Sequence, residues 1–136
     1  MGARTSGREA ALQMLYALDL SGSEDVDWII VSFWRELPGD LEGRAFADEL
    51  VRAVSRDLPA IDERIRAASR HWRLERMARV DRNVLRLGVH ELAHSPDVPR
   101  AVIIDEAVEL AKRYGAGGSS VFVNGVLDRI AEELGR

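Results

Sequence analysis

The sequence predicts an all-α protein, a compact single-domain bundle of about seven helices spanning residues 1–136. Three observations carry this expectation. Apolar residues recur at helical spacing along almost the whole chain, and no alternating stretch is long enough for a strand. Prolines and glycines fall between these stripes and leave connections of about 2–6 residues, as between helices of a bundle. The 136 residues are 46% hydrophobic and 31% charged, a balance that buries a core and excludes a disordered chain.

Each element has its own signal. Ser6-Gly7-Arg8-Glu9 has the form of a capping box, in which Ser6 and Glu9 satisfy each other's amides. Ala11, Leu12, Leu15 and Leu18 follow on one face, and Ser21-Gly22 ends the first helix. The second starts near Asp25, carries Val26, Ile29, Ile30, Phe33 and Leu37 inward, and stops at Pro38-Gly39. Asp40 caps a third, with Phe46, Ala47, Leu50 and Val54 inside. Pro59 suits the first turn of a fourth, which buries Ile61, Ile65 and Ala68. A fifth runs from about Glu75 to Ala93 with Met77, Val80, Val84, Leu87 and Leu92 inward, and Ser95-Pro96 closes it. Pro99 opens a sixth that buries Val102, Ile103, Ala107, Leu110 and Ala111. After the flexible turn Tyr114–Gly118, Ser119 caps a seventh with Phe122, Val123, Val126, Leu127, Ile130 and Leu134 inward.

Composition excludes several functions. With no cysteine there is no disulfide framework, thiol nucleophile or thiolate metal site. No apolar run approaches the ~20 residues that span a bilayer, so no membrane role is expected. Met1 to Arg8 lacks the apolar core of a signal peptide, so the expected location is the cytoplasm.

A net charge of −4 argues globally against a nucleic-acid binder, but its distribution argues otherwise. Residues 1–60 hold six arginines against eleven acids. From Arg64 to Arg86, eight arginines face only Glu75 and Asp81, a local charge of +6. Arginine's planar fork suits phosphate, which makes Arg79, Arg82 and Arg86 candidate phosphate contacts. The plain alternative is a solvated helix face balanced by acids elsewhere in the fold.

Two motifs have chemical potential. His90-Glu91-Leu92-Ala93-His94 is a literal H-E-x-x-H, which on a helix can hold zinc with Glu91 as general base. Against a zinc hydrolase, His94 lies at a helix end, Arg82 and Arg86 precede it on the same face, and no strand is available to hold a substrate. The expectation is therefore no metal, no cofactor and no catalytic residue. The second motif is Gly115–Ser120, which lacks a Walker lysine and a preceding strand. It does lead glycines into a helix N-terminus, where amides favour phosphate. Tyr114 and Phe122 flank it, an arrangement suited to single-stranded nucleic acid.

Three blocks then resemble a known family. They are Arg8–Tyr16 (REAALQMLY), Val80–Leu92 (VDRNVLRLGVHEL), and Ile104–Gly115 (IDEAVELAKRYG) followed by Phe122–Asp128 (FVNGVLD). Together they resemble the bacterial transcription antitermination factors of the NusB family, across nearly the full chain. The resemblance implies an all-helical fold without catalysis. It implies binding to single-stranded boxA RNA of ribosomal RNA transcripts together with ribosomal protein NusE, within an RNA polymerase antitermination complex. It also implies a fifth-helix role for His90-Glu91 in place of zinc chemistry. Carried over by position, Arg4 and Arg8 are what remains of an arginine-rich RNA-contacting arm. Tyr114, Ser119, Ser120 and Phe122 match an RNA-contact region, while Val121 replaces a residue that is often basic or polar. Tyr16 and Asp81 match the NusE-facing side. Asn124 and Gly125 are implied to be structural, a buried amide and a close helix contact. A plain helical interaction module or homodimer without an RNA role is the competing expectation.

Overall fold

The structure, a computed structural model, describes residues 2–37 and 41–136. Among these residues lie seven α-helices, one 3-10 turn and no strand. They form two compact units, Met1–Arg56 and Asp57–Arg136. The expected stop at Pro38-Gly39 and the cap at Asp40 lie outside the described residues.

The first unit contains α1 (Ala3–Ser21), α2 (Val26–Glu36) and α3 (Leu41–Arg56). Helix α1 starts a turn earlier than the capping box predicts. Gly2 is its N-cap, and the Ser6 amide already donates to the Gly2 carbonyl, so Ser6 caps nothing. The added turn is held from outside the helix. Arg4 and Arg8, one turn apart, both place their guanidinium carbons over the Phe46 ring of α3, at 5.2 and 5.4 Å. Gly22 ends α1 as expected, with φ +69° and its amide donating to the Leu18 carbonyl.

Asp25 caps α2, its carboxylate accepting from the Trp28 amide at 3.0 Å. Ile29 and Ile30 are buried as expected, but Leu37 is 53% exposed. Trp34 takes the inward place, because its indole N–H finds a partner in the Asp48 carboxylate at 2.7 Å. Helix α3 buries Ala47, Leu50, Val51 and Val54. Its approach to α1 is close at Gly7. A Cβ there would lie 2.7 Å from Phe46 Cδ2 and 2.9 Å from the Gly43 carbonyl oxygen.

The second unit contains α4 (Leu58–Ala68), a 3-10 turn η1 (Leu74–Arg76), α5 (Arg79–His94), α6 (Arg100–Tyr114) and α7 (Ser119–Glu133). Pro59 sits in the first turn of α4, and Ile61, Ile65 and Ala68 are buried. The single fifth helix expected from Glu75 is broken. Met77 and Ala78 are extended, so Leu74 and Met77 turn inward ahead of α5. Helix α6 is rotated slightly from expectation: Ile103 and Ile104 are both buried, whereas Val102 is 43% exposed. Helix α7 has Gly118 as its N-cap, at φ +89°, and Ser119 is its first helical residue. Val123, Val126, Leu127 and Ile130 form its buried face.

A buried ion pair joins α4 to α5. Arg86 donates from Nε to Asp62 Oδ1 at 2.8 Å and from a terminal nitrogen to Oδ2 at 3.0 Å. Its other terminal nitrogen reaches Asn83 Oδ1 at 3.0 Å, and the Asn83 amide donates to the Arg79 carbonyl at 2.8 Å. Other arginines anchor on main chain. Arg129 donates to the Ala68 carbonyl at 2.8 Å. Arg136 donates to the carbonyls of Leu92, Ser95 and Val98, satisfying acceptors at the C-terminal end of α5 and in the turn that follows it. Lys112 stays on the surface of α6, 3.5 Å from Glu109.

Two outcomes follow for stability, read by denaturant unfolding with circular dichroism. Gly7→Ala should cost about 1–3 kcal/mol through overpacking against Gly43, with little change in helix content. Asp62→Ala should cost about 3 kcal/mol or more, because it leaves a buried guanidinium uncompensated. The double substitution Asp62→Leu with Arg86→Met should recover most of that loss; failure to recover it would place the stability elsewhere.

Candidate nucleic-acid interface

The glycine turn before α7 is shaped by Ser119. Its hydroxyl accepts from the Ala116 amide at 3.1 Å, and its own amide donates to the Ala116 carbonyl at 3.1 Å. Ser119 is buried, so its side chain builds the turn and leaves outward contacts to its neighbours. Ser120 is half-buried, and Val121 stands 77% exposed on the first turn of α7. Tyr114, partly exposed, ends α6 at the other side of the turn.

Phe122 is half-buried, so only part of its ring belongs to the core. The rest meets Trp72 edge to face, with centroids 6.2 Å apart and planes at 78°. Trp72 is 64% exposed, on the segment between α4 and η1. This aromatic pair joins the turn before α7 to the arginine-dense segment. Trp72 was not among the expected contacts. Its signal was its setting, His71-Trp72-Arg73 between Arg70 and Arg76, an aromatic set among arginines.

The arginines divide by environment. Arg86 is buried and held by Asp62, which removes it from a phosphate-facing set. Arg8 is also buried, against Phe46, whereas Arg4 is exposed above the same ring. Arg66 is 3.0 Å from Glu75 and 3.9 Å from Glu63. The Glu75 carboxyl is held below the usual glutamate range, first by a backbone amide and then by Arg66. Arg79 is exposed at the start of α5 and Arg82 is half-buried one turn on. Arg64, Arg70, Arg73 and Arg76 are exposed as well.

Tyr16 is partly exposed on α1. Asp81 is half-buried in the first turn of α5, and its Oδ1 is shielded from solvent with no hydrogen-bond donor among the described residues. Asn124 and Gly125 differ from expectation. Both are exposed, and a Cβ on Gly125 would meet nothing within 4 Å, because the buried stripe of α7 runs through 123, 126, 127 and 130.

The H-E-x-x-H segment does not bring its glutamate to its histidines. His90 and His94 do stack along α5, with ring centroids 5.1 Å apart. Glu91, however, lies about 100° around the helix from His90 and is only 3% exposed. The carboxylate beside the histidines belongs to Asp57. No helix among the described residues is long and apolar enough to cross a membrane.

Comparison with known proteins bears on the family and the fold. The NusB family model matches residues 5–132. The transcription antitermination protein NusB of Sorangium cellulosum is 68% identical over 136 residues, covering all of this chain and 96% of that protein. The NusB protein of Geobacter sulfurreducens is 46% identical over 134 residues, covering 98% and 97%. A crystal form of T. maritima NusB superposes with a TM-score of 0.88 at 40% identity, covering 96% of this chain and 91% of that one. A crystal structure of antitermination factors NusB and NusE in complex with double-stranded RNA matches with a TM-score of 0.87 at 30% identity, covering 98% of each chain. The chain therefore belongs to the NusB family, whose members matched here are transcription antitermination proteins.

Proposed function

We propose that this chain is an RNA-binding antitermination factor that recognises the boxA element of ribosomal RNA transcripts together with ribosomal protein NusE. It acts in the cytoplasm as one NusB-like RNA-binding domain over residues 1–136. It joins the antitermination complex on RNA polymerase by assembly alone, with no bond made or broken. The observation that carries this reading is the pairing of exposed Trp72 with half-buried Phe122 beside the N-terminus of α7. Unpaired bases stack on such rings, and the amides at the start of a helix favour phosphate. The NusB–NusE–RNA complex of a relative supports the partner classes.

The roles follow from exposure. Arg79, with Arg82 beside it, neutralises phosphates, as do Arg70, Arg73 and Arg76 around Trp72. Arg4 adds a phosphate contact from α1. Tyr114, Ser120 and Phe122 line the RNA side of the glycine turn. Arg8, Arg86 and Ser119 support these contacts by holding Phe46, α4 and the turn in place. Tyr16 and Asp81 face NusE, a basic protein drawn to acidic side chains.

The test is fluorescence polarisation with a boxA-type RNA, with and without NusE. Binding should be cooperative; no binding in either mixture favours a helical interaction module or homodimer without an RNA role. Phe122→Ala and Trp72→Ala should each weaken binding by about tenfold, the worth of one lost base stack. With about four phosphates neutralised, log K should fall against log salt with a slope of roughly −3, and a slope near zero would sink the electrostatic model. Tighter binding of the same sequence as a duplex than as a single strand would remove the stacking role of the aromatic pair.

A further inference from the structure

The ion pair that joins α4 to α5 also fixes what stands opposite the end of α5. Asp62 pairs with Arg86, and the two helices are consecutive and antiparallel, so a step of four along α5 to His90 corresponds to the first residues of α4. Asp57 lies there, as the N-cap of α4. An aspartate in that position ordinarily accepts from the first-turn amides. The Asp57 side chain makes no such cap bond. One of its oxygens, one nitrogen of His90 and one nitrogen of His94 all lie within 4.8 Å of one another. The two imidazoles are one turn apart, with ring planes tilted by only 35°.

We propose that Asp57, His90 and His94 form a binding site for one divalent transition-metal ion of the zinc, cobalt or nickel class. Two imidazoles and a carboxylate suit those ions better than magnesium or calcium, which take all-oxygen sets. Tetrahedral ligands about 2.0–2.1 Å from zinc stand about 3.3 Å apart, so closure needs only side-chain rotation. The cationic repulsion expected from Arg86, one turn before His90, is cancelled by Asp62. His94 is exposed, which leaves an entry path and a coordination position for water. Glu91 is buried away from the cluster, so the site lacks the base of a hydrolase and binds the ion without hydrolytic chemistry.

The experiment titrates zinc chloride and, separately, cobalt chloride into the full chain carrying no histidine tag. Calorimetry should give one site per chain, and cobalt should develop ligand-field absorption that excess magnesium does not abolish. His94→Ala and Asp57→Ala should each weaken binding by about tenfold or more, since two ligands remain of three. His71→Ala, the third histidine, should bind as the parent does. Thermal melts establish that each variant is folded. In the unsubstituted protein, the imidazole NMR signals of His90 and His94 should move and saturate at one equivalent while His71 stays fixed. Absence of binding, binding unaffected by either substitution, or equal shifts at all three histidines would overturn the assignment.

Discussion

The buried pairing of Arg86 with Asp62 is the constraint on which the second unit turns. Removing two charges from water is costly, and the pair is tolerated because nearly every donor of the guanidinium is matched. Asp62 takes two hydrogen bonds, Asn83 takes a third, and Asn83 passes its own amide to the Arg79 carbonyl. Such a pair is a weak source of net stability but a strict one of register. A slide of α4 along α5 by one turn would strand both charges. The same register sets Asp57 against His90, so an interior bond determines a surface cluster.

The arginine count of the sequence overstates the charge available to a polyanion. Arg86 is cancelled by Asp62, Arg66 faces Glu75, and Arg129 and Arg136 are tied to main-chain carbonyls. Within the arginine-dense segment, what remains outward is a smaller set around Trp72 and the start of α5. In the function proposed above, its value for RNA lies in arrangement more than in number, with the rings of Trp72 and Phe122 as a stacking surface and guanidinium groups on the backbone.

Helix identity was legible in the sequence because each stripe repeats with a period that only a helix can bury, as at Ile61, Ile65 and Ala68. Ends were less so. Ser6 offered a good local cap, but contacts of Arg4 with Phe46, more than forty residues away, extend α1 past it. Trp34 stands outside the expected inward stripe of α2, and its place in the core depends on Asp48, which supplies a partner for its indole. The site shows the same limit. The two histidines are visible as a spaced pair, yet their acid is Asp57, and the glutamate between them points into the core. Trp72 was hidden because its partner Phe122 lies fifty residues on. Local spacing encodes faces of single helices; contacts between helices need the fold.

The near-exclusive use of arginine has a chemical consequence. Forks such as those of Arg86 and Arg136 reach two or three acceptors at once, which an ammonium on a flexible stem does not reproduce in plane. The one lysine, Lys112, stands apart from this work at the solvent-facing end of α6, beside Glu109. Side-chain amine chemistry therefore has a single address on this chain. An acetyl group, a crosslinker or a fluorophore directed at lysine would mark the last turn of α6 and leave the guanidinium network untouched.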